Sequence, residues 1–419
     1  MAQTTDTLIH PGALSRSDAA PLATRPRAAA AMSGAIALSV HHDITAAEAD
    51  WRAFEAVADC TPFQTFDWLS AWHRHIGEPA GIRPAIVIGR HGGETKFLLP
   101  LAVEAGHLAR RLTFLGQDLA DYNAPLLARD FSATCGADAF VALWRHVRDR
   151  LQGDAATRHD TIDLAKMPET IGAQANPFLR LDVTLNASNA YQTTLGSDWE
   201  TFYAAKRSSA TRRRDRTKLK RLSEMGEIRF VRPDVDETPR TLDALIDQKS
   251  RSFARMGVPN LFARPGHAAF FRALAMSERL RPFVHVSRLD VGATYAAVNL
   301  GLTFRDCYYH ILASYDDGEV SRFGPGAAHL RELLHYAIDR GLKRFDFTVG
   351  DEPYKRDWCD SEQKLYDHAA AATVRGWPAA LWSMARARVK RGIKQTAPLW
   401  SAVQRIRAKL GPLLRERDE

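Results

Sequence analysis

Apolar and polar positions along the chain follow the strand period and the helix period in turn, and they do so twice. Ala35-Ile-Ala-Leu-Ser-Val40 reads as a first strand. Asp50-Trp51-x-x-Phe54 opens an amphipathic helical stretch with its acidic residue at the N-cap. Asp198-Trp199-x-x-Phe202 repeats that opening in the second half. Arg83-Pro84-Ala-Ile-Val-Ile-Gly-Arg90 has its echo in Arg281-Pro282-Phe-Val-His-Val-Ser-Arg288. Each leads through a Gly-x-Thr step (Gly93-x-Thr95, Gly292-x-Thr294) into a second strand, 97–103 or 295–302. Such a twofold pattern predicts an internal duplication. The Arg-Pro echoes lie about 50 residues further apart than the Asp-Trp echoes. The second half is therefore expected to hold extra chain between its first helix and its hairpin, including Lys206 to Arg221 and a helix around Leu242 to Phe253. Gly153 to Ala175 reads as a connector.

The second half continues with a strand over Asp306 to Tyr315 and a loop over Ser321 to Gly326. A helix over Ala327 to Arg340 follows, with Leu330, Leu333, Leu334, Ala337 and Ile338 on one face, and Gly341 stops it. A last strand covers Arg344 to Gly350. Strand, helix, strand in that order predicts a parallel pairing. The fold class is α/β (α+β) with mixed sheets in two similar halves. The expected divisions are a disordered leader over 1–33, halves over 34–165 and 176–375, and a basic amphipathic tail over 376–419.

Composition narrows the classes. At 419 residues, 45% apolar and 25% charged, the chain has ordinary globular makeup and room for two or three folded units. Cys60, Cys135, Cys307 and Cys359 are too far apart for a C-x-x-C pair, so neither a zinc site nor a redox dithiol is supported. Lone thiols fit a reducing, cytoplasmic setting. The soft run after Arg25 and Arg27 imitates a signal peptide but is better read as the first strand. No run of about 18 strongly apolar residues occurs.

The net charge of +8 is unevenly placed. From Lys206 to Arg221 nine basic residues face Asp215 alone, and from Gly376 onward ten face three acidic ones, so the remaining body is acidic. The first segment suits a polyanion, with Arg207 and Arg213 as candidate substrate contacts. Its lack of aromatics and its confinement to one segment argue against DNA. In the tail, Trp382, Ala385, Val389 and Ile393 recur at helical spacing beside Arg386, Arg388, Lys390, Arg391 and Lys394. That is an interfacial pattern suited to peripheral contact with an anionic membrane.

Chemistry concentrates late in the chain. Arg322-x-Gly324-x-Gly326-Ala327 before a helix lets backbone and helix N-terminus approach an anion such as a pyrophosphate. It is neither a Walker loop nor the dinucleotide fingerprint. Gly350-Asp351-Glu352-Pro353-Tyr354-Lys355-Arg356-Asp357-Trp358 gathers carboxylates, a phenol and cations at a strand's end. Such a set can supply a general base, a proton donor and a cation for a developing oxyanion. Asp351 or Glu352 suits the base, Tyr354 the acid and Lys355 the oxyanion, with His310 a rival base. Asp121, Tyr122 and Asp346 are candidate substrate contacts. No Gly-x-Ser-x-Gly elbow appears and no metal is called for.

The run from Arg322-Phe-Gly-Pro-Gly through Phe345-Asp-Phe-Thr-Val-Gly-Asp-Glu-Pro-Tyr-Lys-Arg-Asp-Trp358 resembles the CelD/BcsL-like acetyltransferases. These are GNAT-superfamily proteins related to the FemAB peptidyltransferases. Phe66-Asp-Trp-Leu-x-x-Trp72 and Leu115-Gly116 through Asp121-Tyr122-x-x-Pro125-Leu126 share that look, so the likeness covers about residues 36–372. It implies tandem GNAT-like halves, acetyl-CoA or another acyl-CoA as donor, a saccharide or amine acceptor, and a cytoplasmic bacterial enzyme tied to cellulose, exopolysaccharide or envelope metabolism. Arg322 stands one residue closer to the first glycine than the superfamily's phosphate loop has it. Two alternatives stay open: FemAB-like transfer from aminoacyl-tRNA, and a non-catalytic binder of anionic polymer or membrane on a degenerate pair.

Overall fold

The computed structural model describes residues 36–106 and 109–395; the leader and residues 396–419 of the expected tail lie outside them. The first part of the chain forms β1 (Ala37–His41), β2 (Arg83–His91), β3 (Glu94–Ala105), β4 (Arg110–Phe114), β5 (Leu126–Leu127) and β6 (Thr161–Pro168). Short strands follow: β7 (Thr170–Ile171), β8 (Gln174–Ala175), β9 (Thr184–Leu185) and β10 (Ala190–Thr194). The later strands are β11 (Ile228–Val231), β12 (Val284–Val291), β13 (Thr294–Phe304), β14 (Cys307–Tyr315), β15 (Arg344–Val349), β16 (Ser361–Gln363) and β17 (Leu365–Ala371). Helices are α1 (Glu48–Glu55), α2 (Phe66–Trp72), α3 (Phe131–Thr134), α4 (Ala137–Gln152), α5 (Trp199–Lys206) and α6 (Ser209–Ser223). They continue with α7 (Thr238–Met256), α8 (His267–Met276), α9 (Pro325–Asp339), α10 (Pro353–Arg356) and α11 (Trp377–Gln395).

Two mixed sheets match position for position. One runs β1-β2-β3-β4-β6-β17-β9, with β5 added beside β3; the other runs β11-β12-β13-β14-β15-β10-β16. In each, the fourth and fifth strands alone are parallel neighbours. A helix bridges each of those pairs, α4 in one half and α9 in the other. The sixth strands are exchanged. β10, which follows the first half's own strands, pairs with β15 of the second sheet, and β17, at the far end of the second half, pairs with β6 of the first. The match extends to irregularities: Lys166 and Thr348, both at φ 57°, occupy the bulges opposite β17 and β10.

The duplication is therefore present, but its landmarks differ from the sequence echoes. β11 is the counterpart of β1, so α7 and α8 correspond to α1 and α2. Trp199 opens α5, which precedes β11 and has no counterpart among the described residues of the first half. Among the described residues the extra chain thus lies largely ahead of the second sheet's first strand. Asp198 caps its helix through Thr201 N–H at 2.7 Å. Asp50 instead lies inside α1, whose N-cap is Ala47. The stretch read as a connector contains β6, the central parallel strand of its sheet.

The halves share a core. Trp68 of α2 meets Phe270 of α8 edge-to-face at 5.1 Å, and Phe63 meets Tyr309 at 6.0 Å. α11 packs on β6 and β17, where Ser383 donates to Asp163 at 3.0 Å. The C-terminal helix is thereby fixed to the first half.

Candidate functional site

β14 and β15 pair only from Cys307–Tyr309 to Arg344–Asp346 and then part. The bulge at Thr348 turns β15 away, leaving a wedge that opens at the end of β14. There the chain turns through 316–324 and enters α9. Gly324, at φ 70°, is the helix's N-cap, and Pro325 supplies a preset first turn. Gly326 lies so close to Tyr315 that a Cβ would stand 3.2 Å from the ring. The glycine turn thus brings backbone and a helix N-terminus to the wedge, beside the Tyr315 ring. α6 packs along the same turn, anchored by Asp215, which accepts from Tyr203 at 2.6 Å and faces Arg331 at 3.6 Å.

At the root of the wedge the two halves meet. Tyr122 donates to both oxygens of Asp346, at 2.8 and 2.9 Å, and Thr348 N–H donates to Oδ1 at 2.7 Å. Burial pushes the Asp346 carboxyl up to about 6, against the opposing pull of those donors. Burial, then the Asp346 charge, holds the Tyr122 phenol neutral. Burial also raises Asp121, although Lys166 and the Thr348 hydroxyl favour its charged form.

Lys355, almost fully buried, donates to the carbonyls of Thr348 and Val349 at 3.3 and 3.2 Å and pairs with Glu352 at 2.9 Å. Its three N–H bonds all have acceptors, so in this state it clamps the strand end and offers no donor to an oxyanion. Burial raises the Glu352 carboxyl, but the Lys355 ammonium outweighs it and the group sits below its ordinary value. Lys249 of α7 joins the group: burial lowers it, while the Glu352 charge opposes this. Lys249 is not among the residues expected from sequence. The signal was there, since it lies seven residues after Leu242 and four after Leu245, on the buried face of α7.

His310 is held by a chain of buried polar groups. One amide atom of Asn299 lies 3.1 Å from both Leu312 O and His310 Nε2, and the other lies 3.3 Å from Gly301 N and 2.7 Å from the Tyr308 hydroxyl. Only a nitrogen satisfies the first pair and only an oxygen the second, which fixes the amide's orientation. The Asn299 amide then donates to His310 Nε2, and Tyr308 donates to the Asn299 oxygen while accepting from His285 Nδ1 at 2.9 Å. His310 is thereby a neutral imidazole with its proton on Nδ1, and burial pushes it down to about 3. With Nε2 taken, no ring nitrogen is left to act as a base.

The remaining expected residues scatter. Asp351 turns toward the sixth strand, accepting from Asn189 N–H and the Tyr191 hydroxyl, each at 3.3 Å. Tyr354 is partly exposed, its ring 6.3 Å from Phe347, and burial of its hydroxyl raises it. Arg322 is exposed, its guanidinium 4.9 Å above Phe323. Ala327 is exposed in the first turn of α9, its N–H donating to Gly324 O. Arg207 pairs with Asp357 at 2.8 Å and lies 5.2 Å above Trp358; Arg213 points to solvent.

In the first half the corresponding wedge, between β4 and β6, is filled by the chain itself. Asn123 N–H donates to Lys166 O at 3.1 Å, and its side chain donates to Ala165 O at 3.0 Å and Gln117 O at 3.4 Å. Between β14 and β15 no backbone segment is inserted in that way among the described residues; the bonds there come from side chains, Thr348 to His310 O at 3.4 Å and Lys249 to Ala313 O at 3.1 Å.

Residues 209–356 match the family described as an acetyltransferase (GNAT) domain. Among solved structures, the chain is similar to FemX, at 10% identity and TM-score 0.53 over 78% of this chain and 96% of that one. A conserved protein of unknown function from Bacteroides thetaiotaomicron matches at 15% identity and TM-score 0.50, over 80% and 100%. A tandem GNAT protein from the clavulanic acid biosynthesis pathway superposes less well, at 13% identity and TM-score 0.45 over 81% and 99%. No curated protein matches. The structural likenesses show the fold. Together with the domain match, which spans α6 through α10 and so includes the open wedge, they support an acyltransferase of GNAT-like architecture.

Proposed function

We propose that the protein moves an acyl group from an acyl-CoA thioester to an amine or hydroxyl of a saccharide or amine acceptor, on the cytoplasmic side. The observation that carries this reading is the open wedge between β14 and β15. The Gly324–Gly326 turn and the start of α9 lie at its mouth and the Tyr122–Asp346–Thr348 group at its root. The donor's phosphates would lie against Gly324, Gly326 and the start of α9. The acceptor's nucleophile attacks the thioester carbon and the C–S bond breaks. The acceptor's proton passes to a carboxylate, and the thiolate takes one from a phenol. Asp346, at about 6, is better matched to the base role near neutral pH than Glu352, which Lys355 holds ionised. Tyr354, neutral and partly exposed, suits the acid. The resemblance of 322–358 to the CelD/BcsL-like proteins favours an acceptor in cellulose, exopolysaccharide or envelope metabolism.

Isothermal titration with acetyl-CoA and longer acyl-CoA thioesters tests the donor, and CoASH release with a panel of sugars and amines tests the reaction. Asp346→Asn is expected to bind donor and lose release by two orders of magnitude or more. Failure to bind any CoA thioester would sink the proposal. One observation favours a second reading, transfer from aminoacyl-tRNA: α6 presents Arg213, Arg214, Arg216, Lys218, Lys220 and Arg221 to solvent beside the same wedge. The same titration with charged tRNA separates the two donors.

A further inference from the structure

α11 is apolar on two sides. Its inner side rests on β6 and β17 through Ala380 and the half-buried Ser383, Met384 and Ala387. Its outer side carries Trp377, Leu381, Ala385 and Val389, four residues apart and so aligned along one stripe. Trp382 lies beside the stripe and Val374 just before it. Exposure there is large: 57% for Trp377, 72% for Trp382, 54% for Leu381, 61% for Val389 and 85% for Val374. Two tryptophans and three aliphatic side chains on one ridge need a partner.

The charges say which. Arg375, Arg386, Arg388 and Lys390 are exposed around the ridge, and from Val374 to Gln395 no acidic residue occurs. A second copy meeting this face across a twofold axis would bring those cations against their own images. On one side Trp382 and Arg386 also border a groove lined by Glu104, Arg111 and Asp163 of the first half, whereas Trp377, Leu381 and Val389 are exposed along the stripe. Among the described residues no helix is long and apolar enough to cross a membrane, so insertion would be confined to the headgroup region.

We infer that α11 is a membrane-docking helix. Its outer ridge enters the surface of an anionic phospholipid bilayer while its inner face keeps it fixed to the first half. The inference stands apart from the acyl-transfer reading, since it uses no residue of the wedge. The test is co-sedimentation of the full chain with vesicles of phosphatidylcholine, alone or mixed with phosphatidylglycerol. Binding is expected only to the mixed vesicles, with a blue shift of tryptophan emission. The triple variant Trp377→Ser, Leu381→Ser, Trp382→Ser and the triple variant Arg386→Gln, Arg388→Gln, Lys390→Gln should each weaken it about tenfold or more. Both should keep the wild-type melting temperature, because these side chains lie on the exposed side. Equal binding to uncharged vesicles, or unchanged binding by the first variant, overturns the inference. So does a dimer that this variant abolishes in a protein that ignores vesicles, which would make the ridge a self-association face. A chain ending at Gln395 should still bind; loss there would assign the adsorption to the residues beyond α11.

Discussion

The hydroxyl of Tyr122 lies 2.8 and 2.9 Å from the two carboxylate oxygens of Asp346, one residue from each half, joined across the shared core. Tyr122→Phe removes a donor that favours the ionised carboxylate, so Asp346 should titrate above its present value of about 6. Acyl transfer in wild type should rise with pH through about 6, and in the variant the rise should move upward. Loss of a hydrogen bond to a charged group should cost about 1.5–3 kcal/mol in denaturant melts. A pH–rate profile that stays in place would remove Asp346 from the chemistry.

Three buried histidines set an acid limit on stability. His285, His310 and His329 are all pushed down to about 3, each chiefly by burial. The unfolded chain binds their protons near pH 6.5 and the folded protein does not. The stability they confer is therefore full above 6.5 and is lost as pH falls toward 3. Asp346 and Glu55, raised to about 6 and 7, act in the opposite sense and lose their contribution as pH rises through those values. His329→Gln leaves the carboxylates in place, so comparison with wild type isolates the histidine. Between pH 6 and 4 the acid loss due to this trio should shrink by about a third. Parallel curves would refute the assignment.

A Cβ on Gly301 would stand 2.5 Å from the Tyr308 hydroxyl and 2.7 Å from the backbone oxygen of Tyr309. Gly301→Ala should therefore displace Tyr308 and break its bond to Asn299, at a cost of about 1–3 kcal/mol. Nitrogen NMR of the imidazoles is the direct readout, because His310 should lose its single Nδ1–H tautomer. An unchanged spectrum would mean the chain of donors does not fix that ring.

Gly376 permits the approach of α11 to the first half: a Cβ there would fall 1.9 Å from the Asp160 carbonyl oxygen. Gly376→Ala forces backbone apart from backbone. Amide exchange in β6 and β17 should accelerate about tenfold or more, and protease should cut near Thr373, while β12–β14 stay protected. Uniform acceleration through both sheets would show that the docking is not local.

The sequence allowed a partial reading for identifiable reasons. Hairpins were legible because Gly92-Gly93 and Gly292 separate runs rich in β-branched and other apolar residues, although a bulge follows in each pairing. β6 was not, because Thr161, Asp163 and Lys166 interrupt its apolar pattern. Asp163 is satisfied by Arg111 at 3.2 Å and by Ser383, partners that no local window contains. The Asp-Trp echo misled because the side chains agree while the strand order does not. The glycine loop at 324–326 and the strand end at 346–355 were visible as motifs. That Tyr122 would reach Asp346, or that Asn299 would occupy His310, depends on register across a bulge, and register is written in no single segment.

Exchange of the sixth strands has a consequence for biogenesis. While the ribosome is still making the second half, the first sheet lacks β17 and leaves β6 with an open edge. β10, already made, waits for β15. Neither half can close on its own product, and β17, the last strand among the described residues, completes the first sheet begun. Translation stopped short of Leu365 would leave β6 without its antiparallel partner, an exposed strand edge for chaperones and proteases to find.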